Sequence, residues 1–361
     1  MKRLLPVSGS ILVIAVLYLL LWPVPVDPVA WDAPADKGLV DPFGPDDRLS
    51  RASAIDLGAH HGPEDVTAGH DGRLYASSSN GVILQIDSYG NVSEFADIGG
   101  RALGIETDAD GSFVVANAHV GLQRISANGD VETLLREVDG RPLMYADDLA
   151  IAADGTIYFS EASTKFGAKQ SGGTYEGSLL DILEHGGHGQ IIKFDPRTRQ
   201  ARVIIDNLNF ANGVAISEEQ AFLLISELGS YRILKHWLLG PKSGTTEVLL
   251  DNLPAFADNI NNGKNGRFWI GMISPRNKLL DKLSDKPFMR KIIRRLPAIL
   301  RPAAEPYSHV IAINGDGEVL MNLQDPAARY PSLTGVFETD KTLYLTTLFG
   351  NQLPKIDKSD L

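Results

Sequence analysis

Four oxygen-bearing side chains, Glu64, Asp147, Asn212 and Asp258, each stand ten residues before an apolar stretch that opens at Leu74, Ile157, Phe222 or Phe268. Three carboxylates and an amide gathered at one point would repel one another without a cation. The set contains no His and no Cys, which suits a hard ion. Calcium is favoured over magnesium, because it tolerates irregular cages of about six to eight oxygens. Asn259, next to Asp258, is the best candidate for an extra ligand. Asp65 and Asp148 also follow ligand positions and take supporting or turn roles. Any one of these residues alone would read as a turn cap. A shared register in separate units is what argues for a site.

The register belongs to an internal repeat. Six segments, among them "HDGRLYASSSNGVILQID", "ADGTIYFSEAS" and "KNGRFWIGMIS", share a turn, a strand and a polar or small stretch. Asp-Gly and Asn-Gly are hairpin signals. The strands open at Leu74, Phe113, Ile157, Phe222, Phe268 and Leu343, at intervals of 39, 44, 65, 46 and 75 residues. A propeller blade takes about 40 to 50 residues. The two long intervals therefore hold insertions, near 164–190 and 275–305. An all-β, six-bladed β-propeller over 48–361 follows; a β-sandwich would leave six matching units unexplained. In a propeller the innermost strands ring a central channel. The two remaining ring positions are Leu103 and, after a connection one residue shorter, Thr334.

Ahead of the repeat, Lys2 and Arg3 precede an uncharged run from Leu4 to Trp22. At about 1.5 Å per residue it spans roughly 28 Å, close to a bilayer core. The expectation is a single-pass anchor over 1–22 with a cytoplasmic N-terminus. The body would then be periplasmic, or lumenal or extracellular in a eukaryote. A cleaved signal peptide fits less well, because no clean A-x-A site is present. Residues 23–47, rich in Pro, Asp and Gly, read as a linker. A net charge of −11 argues against nucleic acid as a partner. The chain has no cysteine, which excludes disulfides, thiolate metal sites and a cysteine nucleophile.

The motifs "GPEDV", "ADDLAIAADGTIYFSEASTKF", "NLNFANGVAIS", "YRILKHWLLGPKSGT" and "DNLPAFADNI" resemble the strictosidine synthase-like family. This group lies among the six-bladed calcium propellers that include gluconolactonases and paraoxonases. Within it the chain is most similar to the adipocyte plasma-membrane-associated protein type, which also has an N-terminal anchor. The resemblance covers about residues 50 to 355. It implies Glu64, Asp147, Asn212 and Asp258 as ligands of Ca²⁺, with Asp147 in place of the usual asparagine. It also implies that Thr334 stands where strictosidine synthases carry their condensation glutamate. Leu103 stands where paraoxonases carry a histidine. Condensation is therefore not expected. From the gluconolactonase type, Asp258 is implied as both ligand and general base.

Other candidates are His309 and His119 as proton carriers, and Arg101 as a holder of an anionic substrate group. Thr334 could contact substrate. His185 and His188, in "EHGGHGQ", read as a loop rather than a metal pair. The insertion "PRNKLLDKLSDKPFMRKIIRRLPAIL" reads as short basic amphipathic helices, either a cap on the propeller or a lid resting on anionic lipid. The function expected is a membrane-anchored, Ca²⁺-dependent hydrolase of lactones or aryl esters. The alternative is a non-catalytic propeller that binds a ligand or partner around a structural Ca²⁺.

Overall fold

The structure is a computed structural model that describes residues 4–361, with side chains from residue 12 onward. Six four-stranded antiparallel sheets follow one another along the chain. Their innermost strands are Val66–Ala68, Ala102–Thr107, Ala146–Ile151, Ala211–Ile216, Ala255–Asn262 and Leu333–Glu338. The sixth blade takes its outermost strand, Ser53–Asp56, from the N-terminal side of the propeller. That pairing closes the ring and leaves no sheet edge between the chain's two ends. The strand openings read from the repeat begin the second strand of each blade in five cases, and Leu343 is the second residue of its strand in the sixth. The ring positions before them accordingly fall at or next to the innermost strands.

Neighbouring blades bury apolar side chains between their faces. One such layer joins Val114, Leu122, Leu149, Phe159 and Phe194. The inner strands come so close that a Cβ at Gly213 would lie 2.4 Å from the Ile260 nitrogen. Only glycine fits there.

Among the described residues, five α-helices stand outside the blades: α1 (Leu4–Leu21), α2 (Ala168–Ser171), α3 (Thr174–Glu184), α4 (Lys278–Lys282) and α5 (Pro287–Arg295). Helices α2 and α3 form the first insertion; α4 and α5 form the second. The expected linker is an ordered strap. Val26 is buried against Phe166, Leu180 and Leu183. Trp31 stacks on His185 with ring centroids 3.9 Å apart. The Arg290 guanidinium binds the carbonyls of Leu183, Ser284 and Val29, tying α3, α5 and the strap together.

Among the described residues no helix is long and apolar enough to cross a membrane. The anchor expected over 1–22 falls partly outside them, since Lys2 and Arg3 are not described. Where α1 is described, Leu12, Ile14, Leu21 and Trp22 are exposed, and Arg295 caps its C-terminal end through the carbonyls of Leu19 and Trp22.

Candidate functional site

In five of the six blades the innermost strand is interrupted where a ring residue lies. Pairing with the second strand breaks between Ala102 and Ile105, Ala146 and Leu149, Ala211 and Val214, Ala257 and Ile260, and Leu333 and Val336. A bulge re-aims side chains away from the regular pleat. The bulged pairs are Leu103–Gly104, Asp147–Asp148, Asn212–Gly213, Asp258–Asn259 and Thr334–Gly335. In the first blade Glu64 and Asp65 directly precede the strand.

Within these pairs the two residues divide the work. The second residue ties blades together. Asp65 accepts from the Ile105 amide at 2.9 Å, and Asp148 from the Val214 amide at 2.8 Å. Second-strand serines complete the pattern: Ser77, Ser160 and Ser226 accept from the amides of Asp65, Asp148 and Gly213. The first residue faces the axis. Glu64, Asp147, Asn212 and Asp258 together line the floor of one cavity of about 250 Å³. Above them the walls are apolar, with Leu103, Phe210 and Phe256 from the blades and Leu183 and Ile293 from the insertion helices.

The floor is buried and poor in counter-charge. The Asn212 amide nitrogen lies 2.5 Å from Asp258 Oδ1 and 3.4 Å from Asp147 Oδ2. Asn259 donates to Glu64 Oε1 at 2.8 Å. Burial, followed by the Asp65 charge, pushes the Glu64 carboxyl up to about 8. Burial, then repulsion from Glu64 and Asp258, holds Asp147 well above the usual carboxylate range; burial, then repulsion from Glu64 and Asp148, does the same for Asp258. Among the described residues, three buried oxygens of this floor have no hydrogen-bond partner: Glu64 Oε2, Asn212 Oδ1 and Asn259 Oδ1. Unpartnered buried acceptors among like charges are what a cation would relieve.

As the side chains stand, no three of the described His, Cys, Asp or Glu residues are grouped closely enough to hold a metal ion. The positive NH₂ end of Asn212 stands between two of the carboxylates. Turning that amide over would direct its orphaned oxygen to the same point. The donor set therefore fits a hard cation in chemistry, with its side chains hydrogen-bonded to one another.

The remaining candidates lie elsewhere. Thr334 is not at the cavity surface: its hydroxyl donates to the Glu64 carbonyl at 2.7 Å and lies 2.9 Å from Thr346 Oγ1. It fixes the Glu64 backbone and leaves no group for a substrate. Arg101 is buried, with Nη1 bound to the Gly62 carbonyl at 3.1 Å. Glu64 and Asp147 act on it as charges, so it balances the ring from behind the wall. His309 lies on the third strand of blade five and bonds to Asn322 at 2.8 Å. Burial drops its pKa to about 4. It is walled in beside Gln324, away from the channel. His119 follows the second strand of blade two and does not line the cavity; burial, then Lys169 and Arg101, depress its basicity. His185 and His188 belong to the roof, His188 bonding to Glu184 at 2.7 Å.

Two features escaped the sequence reading. Tyr145, two residues before Asp147, lines the cavity and donates to the Thr174 carbonyl at the start of α3. Arg294 and Arg301 line the same cavity from the second insertion. Tyr145 directly precedes the quoted motif that opens at Ala146 and could have been suspected. The arginines come from a segment without a repeat to align.

Family models for strictosidine synthase and for the strictosidine synthase-like N-terminal region match residues 147–241 and 41–86. Protein strictosidine synthase-like 6 of Arabidopsis thaliana is 31% identical over 318 residues, covering 86% of this chain and 82% of that one. The adipocyte plasma membrane-associated protein of Bos taurus is 28% identical, covering 84% and 77%. Among solved structures, a gluconolactonase from Xanthomonas campestris superposes with a TM-score of 0.62 at 17% identity, covering 86% of this chain and 91% of that one. Regucalcin from Agrobacterium tumefaciens, described as a calcium-binding protein, superposes at 0.57 with 12% identity, covering 85% and 94%. These structural likenesses are of fold. With the relative from Arabidopsis aligned along most of both chains, this protein belongs to the strictosidine synthase-like family.

Proposed function

We propose that the protein is a membrane-anchored, Ca²⁺-dependent hydrolase of lactones or aryl esters. One observation carries the reading: three carboxylates and an amide, with orphaned oxygens, meet at the floor of an apolar cavity. Glu64, Asp147, Asn212 and Asp258 would hold the ion. When bound, it would polarise a carbonyl and offset the negative charge that develops in hydrolysis. Asp258 would take a proton from water, which adds to the carbonyl carbon; the acyl–oxygen bond breaks and the leaving oxygen regains a proton from Asp258. Before an ion binds, the Asn212 amide nitrogen, 2.5 Å from Asp258, holds that carboxylate in place. Apolar walls exclude competing water and fit a ring or an acyl chain. Regucalcin and the gluconolactonase lend the calcium and lactone parts of this reading their plausibility through the shared fold alone.

Membrane attachment is supported by the exposed apolar side chains of α1, by Lys2 and Arg3 before it, and by the basic α5 at its end. Alkaline carbonate should leave the full chain in the membrane pellet; release into the supernatant would refute an anchor. The decisive assay uses the full chain in neutral detergent on a lactone panel and phenyl acetate. Turnover should need Ca²⁺, stop with chelator and vanish in Asp258→Ala.

A second reading, a ligand-binding propeller with a structural ion, has its own support. No described histidine or lysine lines the cavity, so the carboxylates are its main bases. Chelator-induced loss of thermal stability without any turnover would favour it.

A further inference from the structure

The cavity carries a second polar feature, contributed by its roof. Arg294, in the last turn of α5, and Arg301, a short step beyond, both line it. Ion pairs in this insertion run through Arg276, Lys286 and Lys291. Neither Arg294 nor Arg301 joins one among the described residues. Arg294 Nε is buried with no hydrogen-bond partner. Arg301 gives its Nε to the Leu296 carbonyl at 2.7 Å, leaving the fork of terminal nitrogens uncommitted. Burial, then the Arg301 charge, lowers the pKa of Arg294. Glu176 also lines the cavity, but it is exposed and pairs with neither.

Two neighbouring guanidiniums with unused donors favour an anion between them, bound through paired charge-assisted hydrogen bonds. Such a charge is out of character for a chain of net charge −11. The walls between this pair and the floor are apolar. We infer that Arg294 and Arg301 form an anion subsite, and that the cavity takes an amphiphile: an apolar chain or ring system bearing a carboxylate or phosphate. The inference rests on the proposed hydrolase only for which bond of that molecule reacts; binding requires no turnover.

The test measures binding of dodecanoate and dodecanol to the full chain in neutral detergent, by equilibrium dialysis. Dodecanoate should bind at least about tenfold more tightly. Arg294→Gln/Arg301→Gln should erase that preference and leave dodecanol binding unchanged. Arg301→Gln alone should halve it or more and guards against misfolding of the double variant. Inorganic phosphate at millimolar concentration should displace little dodecanoate, since the apolar body supplies much of the binding; full displacement would mean a small-anion site and overturn the amphiphile. Equal binding of acid and alcohol would overturn the inference. So would a double variant that keeps the preference but no longer binds phosphatidylserine vesicles, because the arginines would then serve the lipid surface. The dodecanoate preference should survive in Asp258→Ala, so failure of the hydrolase reading and failure of this one give different results.

Discussion

Two buried acidic groups, one at the cavity floor and one behind the roof helix α3, are neutralised in different ways. In the roof, Glu184 is held by Lys165 at 2.6 Å and His188 at 2.7 Å. Despite burial, those partners keep its carboxyl below the usual range. Its neighbour Asp181, bonded by Ser163, is pushed by burial to about 7 and keeps its proton near neutrality. The roof thus balances its acids from within. At the floor, Glu64, Asp147 and Asp258 have no lysine or arginine in hydrogen-bond contact, only amides. A fold that can pair buried acids in one place leaves them unpaired in another. That contrast points to an outside cation at the floor and none at the roof.

The largest expected effect separates the two groups by activity. Asp258→Ala should lower kcat/KM for a lactone by about 10³-fold, within the range for loss of a general base, whereas Lys165→Met should change it by less than about threefold. Steady-state rates on the full chain decide this, and equal losses would break the contrast.

Next comes pH. Asp181 has a folded pKa of about 7, against about 4 unfolded, so between these values the folded state binds the extra proton. Its stabilising proton is fully present below about pH 4 and is lost as pH rises through 7. At about 1.4 kcal/mol per pH unit the loss is at most about 4 kcal/mol. Asp181→Asn should flatten the fall in melting temperature between pH 4 and 8; an unchanged slope would show that the roof is not balanced by a shared proton.

Calcium gives a smaller shift. At a hundred times its Kd it should stabilise the fold by about 2.7 kcal/mol. The effect should disappear in Asp258→Ala and persist in Lys165→Met, read as melting temperature with and without chelator. Smallest is Lys165→Met itself. Lys165 is 37% exposed, so screening limits the loss to about 1–2 kcal/mol; urea unfolding measures it.

The ring positions were legible because blades repeat. A shared spacing before the second strands, with a bulge at Asp147, Asn212 and Asp258 and the strand entry at Glu64, brings these four residues to one cavity. What spacing cannot give is which way other side chains turn. His309 alternates inward on a strand far from the axis, and its ring is taken up by Asn322. Thr334 has the right register, yet its hydroxyl is committed to the Glu64 carbonyl. The insertions lie outside the repeat, so nothing aligned Arg294 and Arg301 with the cavity. Residues 23–47 read as a linker by composition, but Val26 and Trp31 find apolar partners on the roof.

The strap has a practical consequence for handling the molecule. Residues 26–31 clasp both roof helices, and Arg290 spreads its donors over carbonyls on either side of the clasp. Trimming the chain to the blades, the obvious way to make it tractable, would strip the latch from the lid, orphan a buried guanidinium and open the chamber to solvent. A loss of turnover in such a fragment would report the missing latch rather than the chemistry beneath it.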